Sequence, residues 1–164
     1  MNKQLEISKP VRPYILEYGI SEKNKGMLKW DTVIKWLEES KNYWVSTTRS
    51  DSKPHARPVW GIWLDNFFYF GGGSKTKTAR NLVDNQDICV HTESGQKAVI
   101  VEGIAELFED EKLSQEIGTK YEPKYGIFHP PPFWRVIPKI VYSWDMDDYT
   151  NTPTKFVCTL NKSN

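Results

Sequence analysis

"HARPVWGIWLDNFFYFGGGSKTKTARNL", residues 55–82, decides how the rest of the chain is read. Val59, Trp60, Ile62 and Trp63, and then Phe67 to Phe70, are the β-branched and aromatic residues that suit a pleated, half-buried surface. The "DN" pair at 65–66 supplies turn chemistry between the two runs. Arg57 and Pro58 nevertheless lie inside the first run, and proline has no N–H to give to a strand ladder. That strand is therefore an edge, or is interrupted beside something else, and a bound ring would fit such a gap. Trp63 reads as core. The second run ends in Gly71, Gly72 and Gly73, after which Ser74, Lys75, Thr76, Lys77, Thr78 and Arg80 crowd the start of a helix.

This glycine-lysine stretch is not a P-loop. Ser74 separates Gly73 from Lys75, and no glycine precedes at the required spacing. What remains is a helix start whose free N–H groups stand among cations, a natural place for a phosphate. The bland alternative is a solvated loop with scattered lysines.

Working outward, "DTVIKWLEESK" (31–41) has Val33, Ile34 and Leu37 at helical spacing behind Asp31 as N-cap. "YWVSTTR" (43–49) then changes the period to two, and "SDSKP" (50–54) turns it into the quoted stretch, so three strands in meander order are expected. Thr76 or Thr78 caps a short helix through Asn85, with Ala79, Leu82 and Val83 facing inward. "DICVHTE" (87–93) and "KAVIVEGIAELFE" (97–109) form a strand pair around "SGQ", and Asp110 caps a helix over 111–121. "HPPPF" (129–133) interrupts before "WRVIPKIVYSW" (134–144) and "KFVCTL" (155–160) supply the last strands. About seven strands with two or three short helices and no regular βαβ alternation indicate a mainly β chain, an antiparallel barrel with flanking helices.

At 164 residues and 38 % hydrophobic, the chain suits one core. The expected organisation is an N-terminal arm over 1–29 and a single domain over 30–164. Twenty-two Lys and Arg against 21 Asp and Glu leave a net charge of +1, so nothing draws the protein onto nucleic acid or an anionic membrane, and any anion site is local. No apolar run approaches the ~20 residues of a membrane span. Cys89 and Cys158 form no CxxC unit and the first residues lack a signal-peptide core, which fits the cytoplasm. His55, His91 and His129 lack the partners a metal site needs. For His129 a surface histidine held by prolines is the plainer reading.

Taken together, residues of roughly 30–108 resemble the pyridoxamine 5'-phosphate oxidase-like family, the FMN-binding split barrels. "PHARPVWG" and the later "ARNL" followed by Asn85 carry the resemblance, with "IVYSWDMDDYTNTPTKFVC" (140–158) matching more loosely. The resemblance implies a six-stranded split β-barrel, a homodimer, and FMN held in a cleft between the two subunits, with hydride transfer at the flavin N5. Under it Arg57, Pro58, Val59 and Trp60 line the flavin, and Gly71 and Gly72 lie at the strand end beneath it. Lys77 and Thr78 take the place of the family's basic pair on the phosphate, with Lys75, Thr76 and Arg80 nearby. Trp144 and Lys155 fall where a tryptophan and an arginine reach the cofactor from the partner subunit.

Three departures matter. Thr78 stands where lysine is usual, and Lys155 replaces the arginine, losing its bidentate geometry. The arginine and histidine with which true pyridoxine phosphate oxidases bind their vitamin are missing from "WDMDDYTNT" (144–152). The implied activity is thus an FMN-dependent oxidoreductase acting on a different small-molecule substrate, with Trp60, Trp144, His129 and Trp134 as its walls. No catalytic side chain is assigned. A deazaflavin-dependent reductase, a non-catalytic flavin-binding protein and a barrel that binds nothing are the rival readings.

Overall fold

The structure is a computed structural model that describes residues 4–13 and 17–161; residues 1–3 and 14–16 of the expected arm, and 162–164, lie outside the described residues. In chain order it runs β1 (Gln4–Ile7), α1 (Trp30–Glu39), β2 (Tyr43–Thr48), β3 (Pro54–Val59), β4 (Gly61–Leu64), β5 (Phe67–Gly71), α2 (Lys77–Asp84), β6 (Asp87–Thr92), β7 (Lys97–Phe108), α3 (Glu111–Tyr125), β8 (Phe133–Asp145) and β9 (Thr154–Asn161). It is the mainly β, antiparallel architecture the residues called for. The "DN" turn forms as expected, with Asp65 and Asn66 both at positive φ, 52° and 65°.

The sheet is ordered β1-β9-β8-β7-β6-β2-β3, and β5 pairs with both β4 and β8. β8 divides its length: residues 133–136 pair with β5 and 140–143 with β9, while β7 follows it throughout. The circuit β3-β2-β6-β7-β8-β5-β4 is closed through the chain itself, because β3 runs into β4 through Trp60 although the two strands do not pair. The three-strand meander is therefore replaced by two hairpins, β2–β3 and β4–β5, meeting at a bend. Counted as one bent strand, β3 and β4 bring the circuit to the six strands of a split barrel. β3 ends the sheet, the position where Pro58 is tolerated.

Inside, Tyr43, Val45, Phe68, Phe70, Val99, Val101, Phe133 and Val141 form the buried core, with Trp63 among them. Val33 and Leu37 of α1, Leu82 of α2 and Ile117 of α3 cover it.

Local details differ from the sequence reading for identifiable reasons. The N-cap of α1 is Lys29, two residues before Asp31, and Asp31 sits in the first turn, where a carboxylate complements the helix dipole. Of the two expected candidates, Thr76 caps α2, accepting from the Ala79 N–H at 3.2 Å. Val83 is 77 % exposed, because a helix of this length turns only the Thr78, Ala79, Asn81 and Leu82 side to the barrel. Part of the arm is tied down: β1 pairs with β9, and Arg12 donates to the carbonyls of Asn151 and Pro153, each at 2.7 Å. α3 passes through Pro123 to Tyr125, ended by Gly126 at φ 79°. No helix among the described residues is long and apolar enough to cross a membrane.

The β7–β8 ladder shifts register at Glu102/Gly103, leaving Lys139 unpaired where β8 passes from β5 to β9. A Cβ on Gly103 would stand 2.3 Å from the Ile137 carbonyl oxygen. Gly103→Ala is therefore expected to destabilise the fold by about 1–3 kcal/mol, measured as a lower urea midpoint at unchanged m-value. An unchanged midpoint would show that the bulge has room to spare.

Candidate functional site

The register of β3 sets the first group. Arg57 lies opposite Val45 and His55 opposite Thr47, and since Val45 and Thr47 are buried, Arg57 and His55 share the inner side of the sheet at its free edge. α2 packs against this side. Asn81 Nδ2 donates to Thr47 Oγ1 and Arg57 Nε donates to Thr78 Oγ1, both at 2.9 Å. Thr78 is buried, so its hydroxyl orients the guanidinium. Burial holds Arg57 below its ordinary pKa, yet the group stays charged.

The second group is the start of α2. The Thr76 N–H donates to Gly73 O at 3.0 Å, folding the glycine end of β5 into the helix. Lys75, Lys77 and Arg80 are exposed around it. Among the described residues, neither they nor Arg57 form an ion pair, and Arg57 spends only its Nε on the protein. Their field is felt nearby: the His55 pKa is lowered by burial and then by Lys77, Arg57 and Arg49. Uncompensated cations at a helix start form a site for an anion.

The third group is a cleft of about 370 Å³ lined by Arg57, Pro58, Val59, Trp60, Gly71 and His129, with Asn42 at its edge. Trp60 is 45 % exposed. His129 is a wedged wall rather than a free surface histidine. Its ring fills the space where Gly71 lacks a side chain, a Cβ there falling 2.1 Å from Cε1. Its centroid stands 4.9 Å from Tyr121 and 5.3 Å from Phe133. Nδ1 lies 2.7 Å from the Pro130 carbonyl, which can only accept, so Nδ1 carries a proton toward it. Trp134 is buried behind Gly72.

Sequence reasoning missed what packs behind Trp60 in this cleft. Trp60 stacks on Tyr125 at 4.7 Å and 10°, and the Tyr121 hydroxyl donates to the Trp60 carbonyl at 3.3 Å. Lys124 Nζ donates to Tyr43 Oη at 2.7 Å and to Gly61 O at 3.3 Å. Tyr121 and Tyr125, four apart in a helical segment with Lys124 beside them, were the available signal.

Arg57, Pro58, Val59, Trp60, Gly71, Gly72, Lys75, Thr76, Lys77, Thr78 and Arg80 thus belong to two strand ends and one helix start that meet. Trp144 and Lys155 do not join them. Trp144 sits opposite Ala98 and edge-on to Tyr149, and Lys155 lies over the Tyr142 ring, with β7, β6 and β2 between β8 and β3.

Lys124 lies among the rings of Tyr43 and Tyr125, its Nζ 4.9 and 5.5 Å from their centroids. Desolvation pushes its pKa down to about 8, against a smaller opposing pull from Glu38. The unfolded chain holds that proton up to about pH 10.4, so the folded state binds fewer protons above pH 8 and stability contributed here rises with pH. Urea unfolding of the native protein and Lys124→Met between pH 7 and 9.5 should show the native curve gaining on the variant as pH rises. Parallel curves would contradict the depressed pKa.

The family model for pyridoxamine 5'-phosphate oxidase matches residues 30–145. No curated protein matches the sequence. Among solved structures, a conserved hypothetical protein from Mycobacterium tuberculosis superposes with a TM-score of 0.68 at 18 % identity, covering 76 % of this chain and 89 % of its own. General stress protein 26 from Bacillus anthracis gives a TM-score of 0.58 at 19 %, covering 69 % of this chain and 91 % of its own. An FAD-binding protein from Mesorhizobium loti gives 0.55 at 18 %, covering 79 % and 96 %. These likenesses carry the fold, and the match over residues 30–145, which spans the edge strand, the cationic helix start and the cleft between them, places the chain in the pyridoxamine 5'-phosphate oxidase-like family.

Proposed function

We propose that the protein is an FMN-dependent oxidoreductase that works as a homodimer in the cytoplasm on a small-molecule substrate other than a pyridoxine phosphate. The observation that carries this is the Arg57 guanidinium, oriented by buried Thr78 and without an ion-pair partner among the described residues, beside the cationic start of α2 and at one end of a cleft whose other end is the exposed Trp60. The residues present fit FMN: an anion site for its phosphate, and a flat aromatic surface for its ring. Family membership and an FAD-binding structural neighbour support a flavin in that place.

The chemistry a bound flavin would supply is hydride transfer at its N5. The chain's own part is binding and orientation. Arg57, Lys75 and Lys77 would hold the phosphate with charge-assisted hydrogen bonds, joined by the Thr76 hydroxyl and Arg80. Pro58, Val59 and Trp60 would line the ring edge, Gly71 and Gly72 would lie at the strand end beneath it, with the space beside Gly71 taken by His129, and His129 would border the substrate side with Trp134 packed behind Gly72. Thr78 serves through Arg57, which accounts for the lysine missing at that position.

The dimer reading rests on the outer face of the sheet. Pro58, Trp44, His91, Ile100, Tyr142 and Lys155 stand opposite one another across successive strands, so they share that face. Trp44 and Val157 are 38 % and 43 % exposed there. A second copy covering this ladder buries them and brings a partner's Trp144 and Lys155 within reach of a cleft that lacks them on its own chain.

Titration with FMN, followed by the flavin's visible spectrum and by sedimentation, should give one flavin per chain on a dimer. Lys75→Ala with Lys77→Ala should weaken FMN binding by about 1.5–3 kcal/mol per charge-assisted bond lost and leave riboflavin, which has no phosphate, unaffected. Anaerobic reduction of the loaded protein by nicotinamide cofactors, then reoxidation by quinone, nitro or enone acceptors, tests the oxidoreductase activity. Failure to take up FMN with tight uptake of a deazaflavin would replace the cofactor, and uptake without turnover would leave a flavin-binding protein.

A further inference from the structure

The bend at Trp60–Gly61 is where the barrel circuit closes without strand pairing, so its backbone groups need other partners. α3 supplies them. The Gly61 N–H donates to Tyr125 Oη at 3.0 Å, and the single Tyr125 hydroxyl proton faces Lys41 O at 2.8 Å and Gly61 O at 2.9 Å. The Tyr121 hydroxyl donates to Trp60 O, and Lys124 to Gly61 O. Gly61 itself cannot shift inward, since a Cβ there would lie 2.2 Å from the Phe68 ring. Upon this fixed bend the Trp60 indole lies parallel to the Tyr125 ring, one face covered and its remaining surface open at the cleft. An exposed tryptophan held flat in this manner is a prepared surface for a planar group.

We infer that Tyr125 is a positioning residue of the ring end: it fixes the plane and place of Trp60, so that the isoalloxazine meets a preformed aromatic shelf. The inference rests on the flavin reading above, and its effect is separable from that of the phosphate end. Loss of the shelf weakens FMN and riboflavin alike, whereas loss of the phosphate cations weakens FMN alone.

The test labels the tryptophans with 5-fluorotryptophan and assigns the Trp60 fluorine resonance with Trp60→Phe. In unliganded Tyr125→Leu, which lacks both ring and hydroxyl, the Trp60 resonance should move. Its affinity for FMN and for riboflavin should fall about three- to tenfold each, with their ratio unchanged. Tyr125→Phe, which keeps the stacked ring, should regain most of that loss. If Tyr125→Leu does not fold, Tyr125→Phe decides: removal of the hydroxyl alone should still move the Trp60 resonance and lower both affinities about twofold. A Trp60 resonance that stays in place, or one that moves while both affinities hold, overturns the inference. No flavin uptake by the unmutated protein overturns the functional reading itself, a result distinct from normal uptake with indifferent variants.

Discussion

The structure depends on how a barrel is closed where two strands do not pair. β3 and β4 follow one another through Trp60, and the hydrogen bonds a sheet would have made there are made instead by the hydroxyls of Tyr121 and Tyr125 and the ammonium of Lys124. A buried backbone group left unpartnered costs about as much as a lost hydrogen bond, so the α3 end is part of the closure. The same gap that needs closing is the one that opens a cleft. Edge strand β3 pairs with β2 on one side and, among the described residues, with no strand on the other, and Arg57 and Pro58 lie in this edge strand.

Closure also ties the two ends of the cleft together. Arg57 in β3 and Trp60 in the bend that follows it are three residues apart, with the first anchored to α2 through Thr78 and the second to α3 through Tyr125. A rigid strand between two helices keeps the anion end and the aromatic end at a set separation, the form of preorganisation that a cofactor with a charged tail and a flat head requires. The replacement of a lysine by Thr78 is coherent in this setting. A cation at a buried position would repel Arg57, while a hydroxyl accepts its Nε hydrogen and leaves its terminal nitrogens free.

What the sequence made legible was local. Strand alternation, the Asp65–Asn66 turn, the Thr76 and Asp110 caps and the proline in an edge strand are properties of short windows, and each appears where expected. The grouping of Arg57 to Trp60 with the start of α2 was legible through the family pattern. What escaped was set by distant partners. Pairing of β1 with β9 joins residues over 150 positions apart, and no period in either segment announces it. The run of α3 through Pro123 depends on the bend that Lys124 and Tyr125 serve, and on the left-handed cap at Gly126. Val83 looked inward because it is apolar, but α2 meets only one narrow stripe of the barrel.

The central claim is that the α2 start and Arg57 hold a phosphate while Trp60 receives a ring, and backbone amide mapping on the labelled protein tests it most directly. FMN should shift the amides of residues 57–61 and of 71–80 together. Riboflavin should shift the first set and leave the amides of Gly73 to Arg80 almost unmoved. Equal shifts of both sets by the two ligands, or shifts confined to the outer face around Cys89 and Glu102, would contradict the account.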